Sequence, residues 1–475
     1  MESGRRVGIR GVPGSGRRGL RRRVGRQGFD ARRMRLNYRV ERSTVSNASL
    51  SNKGQRPMTS PWISSDYGSE GQYQPGVHPR CNMNREISPP PAKRRKVSTN
   101  NVTPPRISTP LPPTVPDADT MRIFSWNING ITPFLQKPLT TYFNTTKPNS
   151  NANIPPASLR GFLKRHHWPA ILLLQEVKIA AKDVKTQGAV RTAVNASLPS
   201  EIPESGPGPR YETHFTLPGD PHNARGPGGS GKVYGLCSIV RADIAKKLAA
   251  TVRTVDWDTE GRVSVVELRS PSTKLALFNI YAVNGTDAPY RDPATGAPRG
   301  TRHARKLTFH RLLMEECLEL EEDGWDVLLA GDMNVAPAAV DGHPRLRTFP
   351  HQHVVNRADF NARFLATNRK KQGEGKVFEG IDVWRRMNEG EKRYTWFPRG
   401  REWGSSCDRV DYVIAGESMW DRSMVRGAGI LDSEADRGPS DHVPVWADIR
   451  ISGVDDEEND SGAVLDGTVS CHLGA

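Results

Sequence analysis

The feature that most constrains this sequence is a set of short apolar runs that stop abruptly at acids or amides. The clearest is Val327 to Asn334, which reads Val-Leu-Leu-Ala-Gly-Asp-Met-Asn. A continuous apolar run bounded by turn residues predicts a strand that is buried on both faces. Because side chains two apart on an extended segment point the same way, Asp332 and Asn334 are expected to reach one common object. Taken alone, such an ending is also typical of an ordinary strand-end turn.

Four other apolar runs have similar ends, which favours a shared site over a set of unrelated turns. Each run meets an amide, an acid or an acid followed by histidine. In chain order, the residues at these ends are Asn127 and Asn129, Glu176, Tyr281 and Asn284, and Asp441 with His442. Polar groups at the ends of several buried strands are expected to meet at one edge of a sheet.

The apolar runs alternate with segments of helical periodicity, and this alternation predicts an α/β fold. The clearest helix is Arg302 to Glu322, whose apolar residues recur along one broad face. Short connections predict some antiparallel pairing. The predicted strands are 122–130, 170–174, 211–217, 233–240, 262–268, 274–282, 327–334, 394–397, 409–414 and 443–451, and the predicted helices are 158–168, 302–322 and 359–367.

Charge divides the chain into a basic tail and a nearly neutral remainder. Residues 1–120 contain 23 Lys and Arg against 8 Asp and Glu, which leaves 45 against 44 for residues 121–475. Residues 1–117 are rich in Arg, Ser, Pro and Gly and carry too little apolar surface to offset their ordering entropy, which predicts disorder. A folded domain is expected over residues 118–452, followed by an acidic disordered tail over residues 453–475.

The tail also carries the only signals for location in the cell. The cluster Lys93-Arg94-Arg95-Lys96 is typical of nuclear import, and the Arg-rich first forty residues leave a mitochondrial presequence as the alternative. The five cysteines form no C-x-x-C pair, so neither a disulfide framework nor a cysteine zinc site is indicated. No apolar run approaches the ~20 residues that span a bilayer. A soluble intracellular protein is expected, with a monomer as the working hypothesis.

The side chains collected at the strand ends are rich in oxygen and include one imidazole. Hard oxygen ligands suit Mg²⁺, or Mn²⁺ in its place, and these ions take few carboxylates and keep several waters. Zinc would require more His or Cys. Such a metal polarises a phosphoryl oxygen and stabilises a leaving oxyanion. The set therefore indicates phosphoester chemistry, with neutral amides and a tyrosine around the phosphate.

Seven short segments in a fixed order add a family resemblance. They read WNING at 126–130, LQEVK at 174–178, EGRV at 260–263, NIYAVNG at 279–285, GDMNVA at 331–336, DRVDY at 408–412 and SDH at 440–442. Together they resemble the exonuclease III type of AP endonuclease, within the endonuclease/exonuclease/phosphatase superfamily. The resemblance implies a two-sheet α/β sandwich of the DNase I-like type, which would make residues 118–452 a catalytic domain.

The resemblance also implies a metal site and a general base. Glu176, with Asn129 and Asp441, would hold the metal, and Asp332 and Asn334 are expected to be further ligands. Asn129 stands where some relatives carry Asp, and an amide is a weaker ligand, so its part in metal binding stays open. Asp332 would orient and deprotonate the attacking water.

A second group of residues is implied to hold the phosphate and the nucleic acid. His442 matches a phosphate-binding histidine, and Asp411 would accept its other ring proton, which favours an imidazolium. The further phosphate and DNA contacts implied or expected are Asn127, Asn334, Tyr281, Asn284, Arg409 and Trp396.

The implied activity is a DNA phosphodiesterase that cuts 5′ to an abasic site or trims 3′ ends in base excision repair, with DNA as its partner. One departure bears on substrate. Asp408 lies where relatives hold a flipped sugar against apolar and aromatic residues, and it is expected to pair with Arg409 or Arg399. The aromatic candidates nearby are Trp396, Phe397 and Trp403. The alternatives are another phosphoester (RNA, a protein–DNA adduct or a phosphoinositide) and a catalytically silent domain whose tail binds nucleic acid.

Two further segments carry weaker patterns. Gln136 to Phe143 resembles the sliding-clamp-binding box of replication and repair proteins, and a plain amphipathic segment is the alternative. Asp341 to Asn356 contains His343, Arg345, Arg347, His351 and His353, and is interpreted either as a phosphate-tracking segment or as a solvated loop.

Deleting residues 1–117 is expected to flatten the salt dependence of DNA binding, because fewer counterions are released when fewer cations meet phosphates. The measurement is the slope of log affinity against log salt concentration for the full chain and the deletion variant. An unchanged slope would assign the electrostatic affinity to the folded domain instead.

Overall fold

A computed structural model of the chain describes residues 115–117, 119–135, 157–198, 208–224, 234–365 and 376–451. Residues 1–114 of the basic tail, the 93–96 cluster, the clamp-like segment at 136–143 and the acidic tail at 453–475 lie outside the described residues. Within the described ranges, no helix is long and apolar enough to cross a membrane.

The described residues form sixteen strands, nine α-helices and a short 3₁₀ helix at Ala339–Asp341. The strands are β1 Thr120–Asn127, β2 Ile171–Gln175, β3 Tyr211–Thr216, β4 Leu236–Arg241, β5 Thr251–Thr254, β6 Val263–Arg269, β7 Lys274–Tyr281, β8 Pro289–Arg291, β9 Pro298–Thr301, β10 Asp326–Asp332, β11 Gly342–His343, β12 Gly380–Asp382, β13 Cys407–Asp408, β14 Asp411–Gly416, β15 Val425–Ile430 and β16 Val445–Arg450. The helices are α1 Thr132–Leu135, α2 Leu159–Arg165, α3 Val184–Val194, α4 Ala242–Lys247, α5 Arg302–Glu322, α6 Gln352–Phe364, α7 Val383–Met387, α8 Glu417–Asp421 and α9 Glu434–Arg437.

Two six-stranded sheets form the body of the fold. Their strand orders are β15-β16-β1-β2-β4-β3 and β12-β14-β10-β7-β6-β5. One parallel pair lies in the middle of each sheet, β1 with β2 and β7 with β10, and the remaining pairs are antiparallel. This mixture confirms the predicted two-sheet α/β sandwich.

Three apolar cores fix the order of the layers. Buried side chains from both sheets, such as Ile123 and Leu328, belong to one cluster between the sheets. Phe309 and Leu313 of α5 cover the other face of the second sheet. Phe162 of α2 and its neighbours cover the other face of the first. Both sheets are therefore buried on both faces, which is why their central strands are continuous apolar runs.

The pairing registers bring six strand ends to one edge. Asn127 pairs with Gln175, and Asp332 pairs with both Tyr281 and Asp411. The carboxyl ends of β1, β2, β7 and β10 therefore meet the amino ends of β14 and β16. The expected convergence of polar side chains follows directly from this arrangement.

Gly331, one residue before that edge, permits the close approach of β10 and β7. Its φ is 149°, and a Cβ placed there would lie 1.9 Å from the carbonyl oxygen of Ile280. A side chain would push the two strands apart. The glycine in the Gly-Asp-Met-Asn sequence is thus required by packing beneath the site.

Most predicted elements are confirmed, with shifted ends. The long helix has the predicted bounds, and α6 begins at Gln352 rather than near residue 359. The predicted strand at 394–397 is wrong, because Trp396 makes only isolated bridges, to Asp408 and to His442. The segment crosses between two strand ends instead of running along a sheet.

Arg409 is a correction to the predicted DNA contacts. Its side chain is 2% exposed and donates to Asp341 at 2.7 Å and to Asp382 at 2.6 Å. Both carboxylates are buried as well. The guanidinium is directed into the protein, where it joins the loop after β10 to the end of β12, and it does not reach the strand-end site.

Replacing Arg409 with methionine is expected to lower the free energy of unfolding by about 3–5 kcal/mol, because two buried carboxylates lose their partner. Urea denaturation would measure the change. The matched control is Arg311→Met, which removes an arginine whose exposed side chain pairs with Glu315 along one helix, and it should stay within about 0.5 kcal/mol of the parent protein. A loss in Arg409→Met no larger than in the control would contradict the structural role.

Candidate active site

Asn127 lies at the centre of the strand-end site and is fully buried. Its amide nitrogen donates to Glu176 Oε1 at 3.1 Å and to Asp332 Oδ2 at 3.0 Å, and lies 3.5 Å from Nε2 of His442. Its side-chain oxygen accepts from the backbone of Asn129 at 3.1 Å. One neutral side chain on β1 thus holds two carboxylates from different sheets in fixed positions without adding charge.

His442 is held between two carboxylates. Its Nδ1 lies 2.8 Å from Asp411 Oδ2, and its Nε2 lies 3.8 Å from Asp332 Oδ2. Burial disfavours the charged ring, but Asp411 and then Asp332 outweigh it and raise the pKa of His442 to about 10. Burial and the charge of Asp411 raise the pKa of Asp332. The favoured arrangement is an imidazolium that shares its charge with both acids.

Two residues hold this histidine and its partner in place. The Thr395 hydroxyl accepts from the backbone of Asp411 at 3.0 Å, and the Ser440 hydroxyl accepts from the backbone of His442 at 3.0 Å. Both hydroxyls are inaccessible to solvent. Ser440 belongs to the SDH segment at 440–442 that the sequence singled out, whereas Thr395 was missed, since a threonine beside a strand has no distinctive pattern.

Glu176 and Asp441 occupy the other side of the site. Glu176 Oε2 lies 2.9 Å from the ammonium of Lys178, which also donates to Asn129. The Asn129 amide donates to Asp441 at 2.8 Å, and the indole of Trp396 donates to the other oxygen of Asp441 at 3.1 Å. Asn129 is therefore a bridge between an acid and a lysine, and Lys178 is an additional cation at this end.

Three of these side chains stand on backbone in the left-handed region. The φ angles are 50° at Asn129, 50° at Glu176 and 52° at Asn334. Asparagine tolerates this conformation, whereas for glutamate it costs of order 1–3 kcal/mol. All three residues lie one or two positions beyond the end of β1, β2 or β10, so the turn of the chain there directs their side chains back over the strand ends.

The predicted phosphate contacts lie along the same rim. Burial and the charge of Glu176 raise the pKa of the Tyr281 phenol, which keeps its hydroxyl a donor. The guanidinium of Arg262 lies 5.0 Å from the Tyr281 ring and donates to its carbonyl oxygen. Asn284 is exposed and lines the same pocket. Asn334 donates to the carbonyl of Ala282 at 3.0 Å.

A pocket of about 290 Å³ opens over these groups. Trp396 lines it, whereas Phe397 is buried and stacks on Trp403 with ring centroids 3.8 Å apart. Asp408 also lines the pocket, and its carboxylate lies 3.7 Å from Arg347. The expected pairing of Asp408 with Arg409 or Arg399 is therefore wrong, since Arg409 is directed inward and Arg399 donates to backbone carbonyls.

Several pocket residues carry no pattern that sequence reasoning could use. Lys306 of α5 is buried and donates to the carbonyl of Asn334 at 2.8 Å, and burial lowers its pKa to about 7. Asn356 and Arg357 of α6 also line the pocket. In the sequence, polar residues at these helical positions are typical of any amphipathic helix. Of the predicted site residues, Arg409 alone is absent from this region.

The donors present fit a hard divalent cation. Glu176, Asp441, Asn129 and Asp332 offer four oxygen-bearing side chains at this edge, whereas the protonated ring of His442, close to Asp332 and Asp411, is not a ligand. No cysteine is among them. Carboxylate and amide oxygens in this number suit Mg²⁺ or Mn²⁺ better than zinc.

Comparison with known proteins places the chain in a family. Residues 124–442 match the family model described as the endonuclease/exonuclease/phosphatase family. Exodeoxyribonuclease III from Haemophilus influenzae is 23% identical over 230 residues, covering 46% of this chain and 77% of that protein.

Two solved structures match about 70% of the chain at low sequence identity. The AP endonuclease LMAP from Leishmania major matches with a TM-score of 0.48 and 17% identity, covering 70% of this chain and 88% of that one. The catalytic domain of APE2 from Xenopus laevis matches with a TM-score of 0.42 and 18% identity, covering 70% and 94%. On the family match over residues 124–442, this chain belongs to the endonuclease/exonuclease/phosphatase family.

Proposed function

We propose that this chain is a divalent-metal-dependent DNA phosphodiesterase that cleaves 5′ to an abasic site or trims 3′ ends in base excision repair. The observation that carries the proposal is the contact of Asp332, His442 and Glu176 around the amide of Asn127. A buried acid, a protonated histidine and a further acid at one open pocket suit hydrolysis of a phosphodiester. Nuclear location, proposed from the 93–96 cluster, agrees with this activity.

Asp332 is the general base of the proposed reaction. One carboxylate oxygen accepts from the backbone of Asn334 at 2.8 Å, which leaves the other directed toward the site. Its burial favours taking up a proton from an attacking water. A bound Mg²⁺ near Glu176 and Asp441 would supply positive charge to the phosphate oxygens.

His442 stabilises the charge that develops on phosphorus. Asp411 holds the ring in one orientation and favours its protonated form, so Nε2 can donate to a phosphoryl oxygen. Tyr281 adds a neutral donor, while the buried amide of Asn127 holds Glu176 and Asp332 in position. Because none of these groups needs to move, they act as a pre-organised set, and in-line attack would release a 3′ hydroxyl opposite a 5′ phosphate.

A different phosphoester is the second candidate. The observation that favours it is the Asp408–Arg347 pair beside Trp396, which makes the pocket more polar than one built for a bare abasic sugar. RNA, a protein–DNA adduct or a phosphoinositide would use the same acids and histidine. Selectivity for an abasic site would require an apolar surface against the flipped sugar.

The substrate is tested by incubating the full chain and Mg²⁺ with labelled duplexes that carry an internal abasic analogue, a recessed 3′ end or no lesion. Structured RNA and a phosphoinositide complete the panel. Cleavage of the lesion-bearing or recessed DNA is expected, with loss of activity in EDTA and recovery on adding Mg²⁺. Hydrolysis of another substrate in the panel without cleavage of any DNA would replace the first candidate with the second.

The catalytic roles are tested with Asp332→Asn and His442→Ala. Each is expected to lower turnover by about 10²- to 10⁴-fold, because a general base or a charge-stabilising donor is lost. DNA affinity, measured by fluorescence anisotropy, should change little. The control is Asp421→Asn, which removes an exposed acid at the end of α8. Turnover near the parent value in either site variant would refute the role assigned to that residue.

A further inference from the structure

The pocket over the catalytic groups has a second end that the proposed reaction does not use. Asp332 and His442 lie at one end, and the loop after β11 together with α6 forms the other. The residues at this second end that carry charge or polar groups are Arg347, His353, Asn356 and Arg357. We call this second end the α6 recess.

Among the described residues that line the α6 recess, cations outnumber acids. Arg347 and Arg357 both line it, and Asp408 is the carboxylate that faces them. The other pocket acids are held elsewhere, Glu176 by Lys178 and Asp441 by Asn129 and Trp396. The recess therefore carries a local excess of positive charge.

Burial shifts two pKa values in the recess, and nearby cations add to one of the shifts. Burial, followed by the charge of Arg347 and other nearby cations, lowers the pKa of His353 to about 4. Burial also lowers the pKa of Arg357, and the opposing effect of Asp408 does not offset it. A partly buried guanidinium without full compensation from carboxylates favours an anionic ligand.

The guanidinium of Arg357 is held in place by the protein. Its Nε donates to the carbonyl of Ala336 at 2.7 Å, and one Nη donates to the carbonyl of Arg347 at 2.7 Å. Asn356, next to it on α6, is bonded to His303 at 2.8 Å. Such anchoring lowers the entropy cost of binding a ligand at this position.

The surface between the two ends suits a sugar or a base. Trp396, Leu346 and Val410 line the pocket there, and the guanidinium of Arg347 lies 5.4 Å from the centre of the Trp396 ring. Apolar and aromatic groups flanked by two sites for anions match the alternation of phosphate and nucleoside along a nucleic acid strand.

We propose that Arg347 and Arg357 bind a second phosphate of the substrate strand, the one on the far side of the nucleotide seated at Trp396 from the scissile phosphate. This inference rests on the proposed nuclease function and makes it more specific. A strand that ends at the seated nucleotide lacks this second phosphate. The α6 recess therefore favours cleavage within a strand over removal of a terminal nucleotide that carries a free hydroxyl.

The test uses the duplex with an internal abasic analogue, so that phosphates flank the scissile bond on both sides, and the phosphate one nucleotide to the 5′ or the 3′ side is replaced by an uncharged methylphosphonate. One of the two replacements is expected to lower kcat/KM of the parent protein by about 10- to 100-fold, because a charge-assisted contact is lost. In Arg347→Met and Arg357→Met, the same replacement should have a much smaller further effect. Arg357→Lys, which keeps the charge, should restore part of the sensitivity.

Arg311→Met is the matched control, since it removes one exposed arginine from α5, and it should keep the full sensitivity to methylphosphonate. Thermal melting of each variant checks that the fold is intact, and the exposed Arg347 keeps the test valid even if Arg357→Met unfolds. If neither replacement affects the parent protein, or if both arginine variants retain the full loss, the inference is overturned. If no DNA is cleaved at all, the proposed function fails with it.

Discussion

A hydrogen bond between the two sheets determines how the site is assembled. Gln175 of the first sheet donates to Asn279 of the second at 2.8 Å and to Ser125 at 3.0 Å, and Asn279 contacts Ser238. All four residues are buried. Sliding one sheet over the other would leave these amides unsatisfied, at about 1–3 kcal/mol for each lost partner. Apolar packing alone would allow the two sheets to pack in many relative positions. These buried hydrogen bonds favour one of them, and in that position Asn127 contacts Asp332.

The site brings four carboxylates together, and neutral and cationic neighbours offset the energetic cost of placing them there. Glu176, Asp332, Asp411 and Asp441 all lie near the open edge, where unpaired burial would be costly. Each is bonded to an amide, an indole, a lysine or the histidine. These partners offset part of the negative charge of the four acids. A bound divalent cation would offset more of it.

The catalytic half of the site could be predicted from sequence because its residues lie at the ends of buried strands. Strand period and apolar runs locate Asn127, Glu176, Tyr281 and Asp332, and pairing brings them together. The residues that are proposed to contact the substrate could not be predicted in this way, because their role depends on the direction in which long side chains extend from the backbone. Arg409 was expected at the DNA and instead pairs inside the protein, while Arg357 gave no signal on its helix. Side-chain direction there is fixed by tertiary partners that the local sequence does not reveal.

Because Arg409 forms its ion pairs inside the protein, it anchors the start of the loop that carries Arg347. This loop is therefore a structural unit distinct from the two sheets. Asp341 at its start is held by Arg409, and the short ladder between β11 and β13, with Gly342 opposite Asp408, forms a separate two-stranded sheet. Residues 344–350, between this attachment and α6, contribute no side chain to the three apolar cores, and Leu346 and Arg347 line the pocket. Their sequence is therefore free to diverge while the catalytic groups stay in place. Such a loop is suited to exchange between related proteins, because it is short and carries its own anchor. Its exchange could give one hydrolytic centre new substrates.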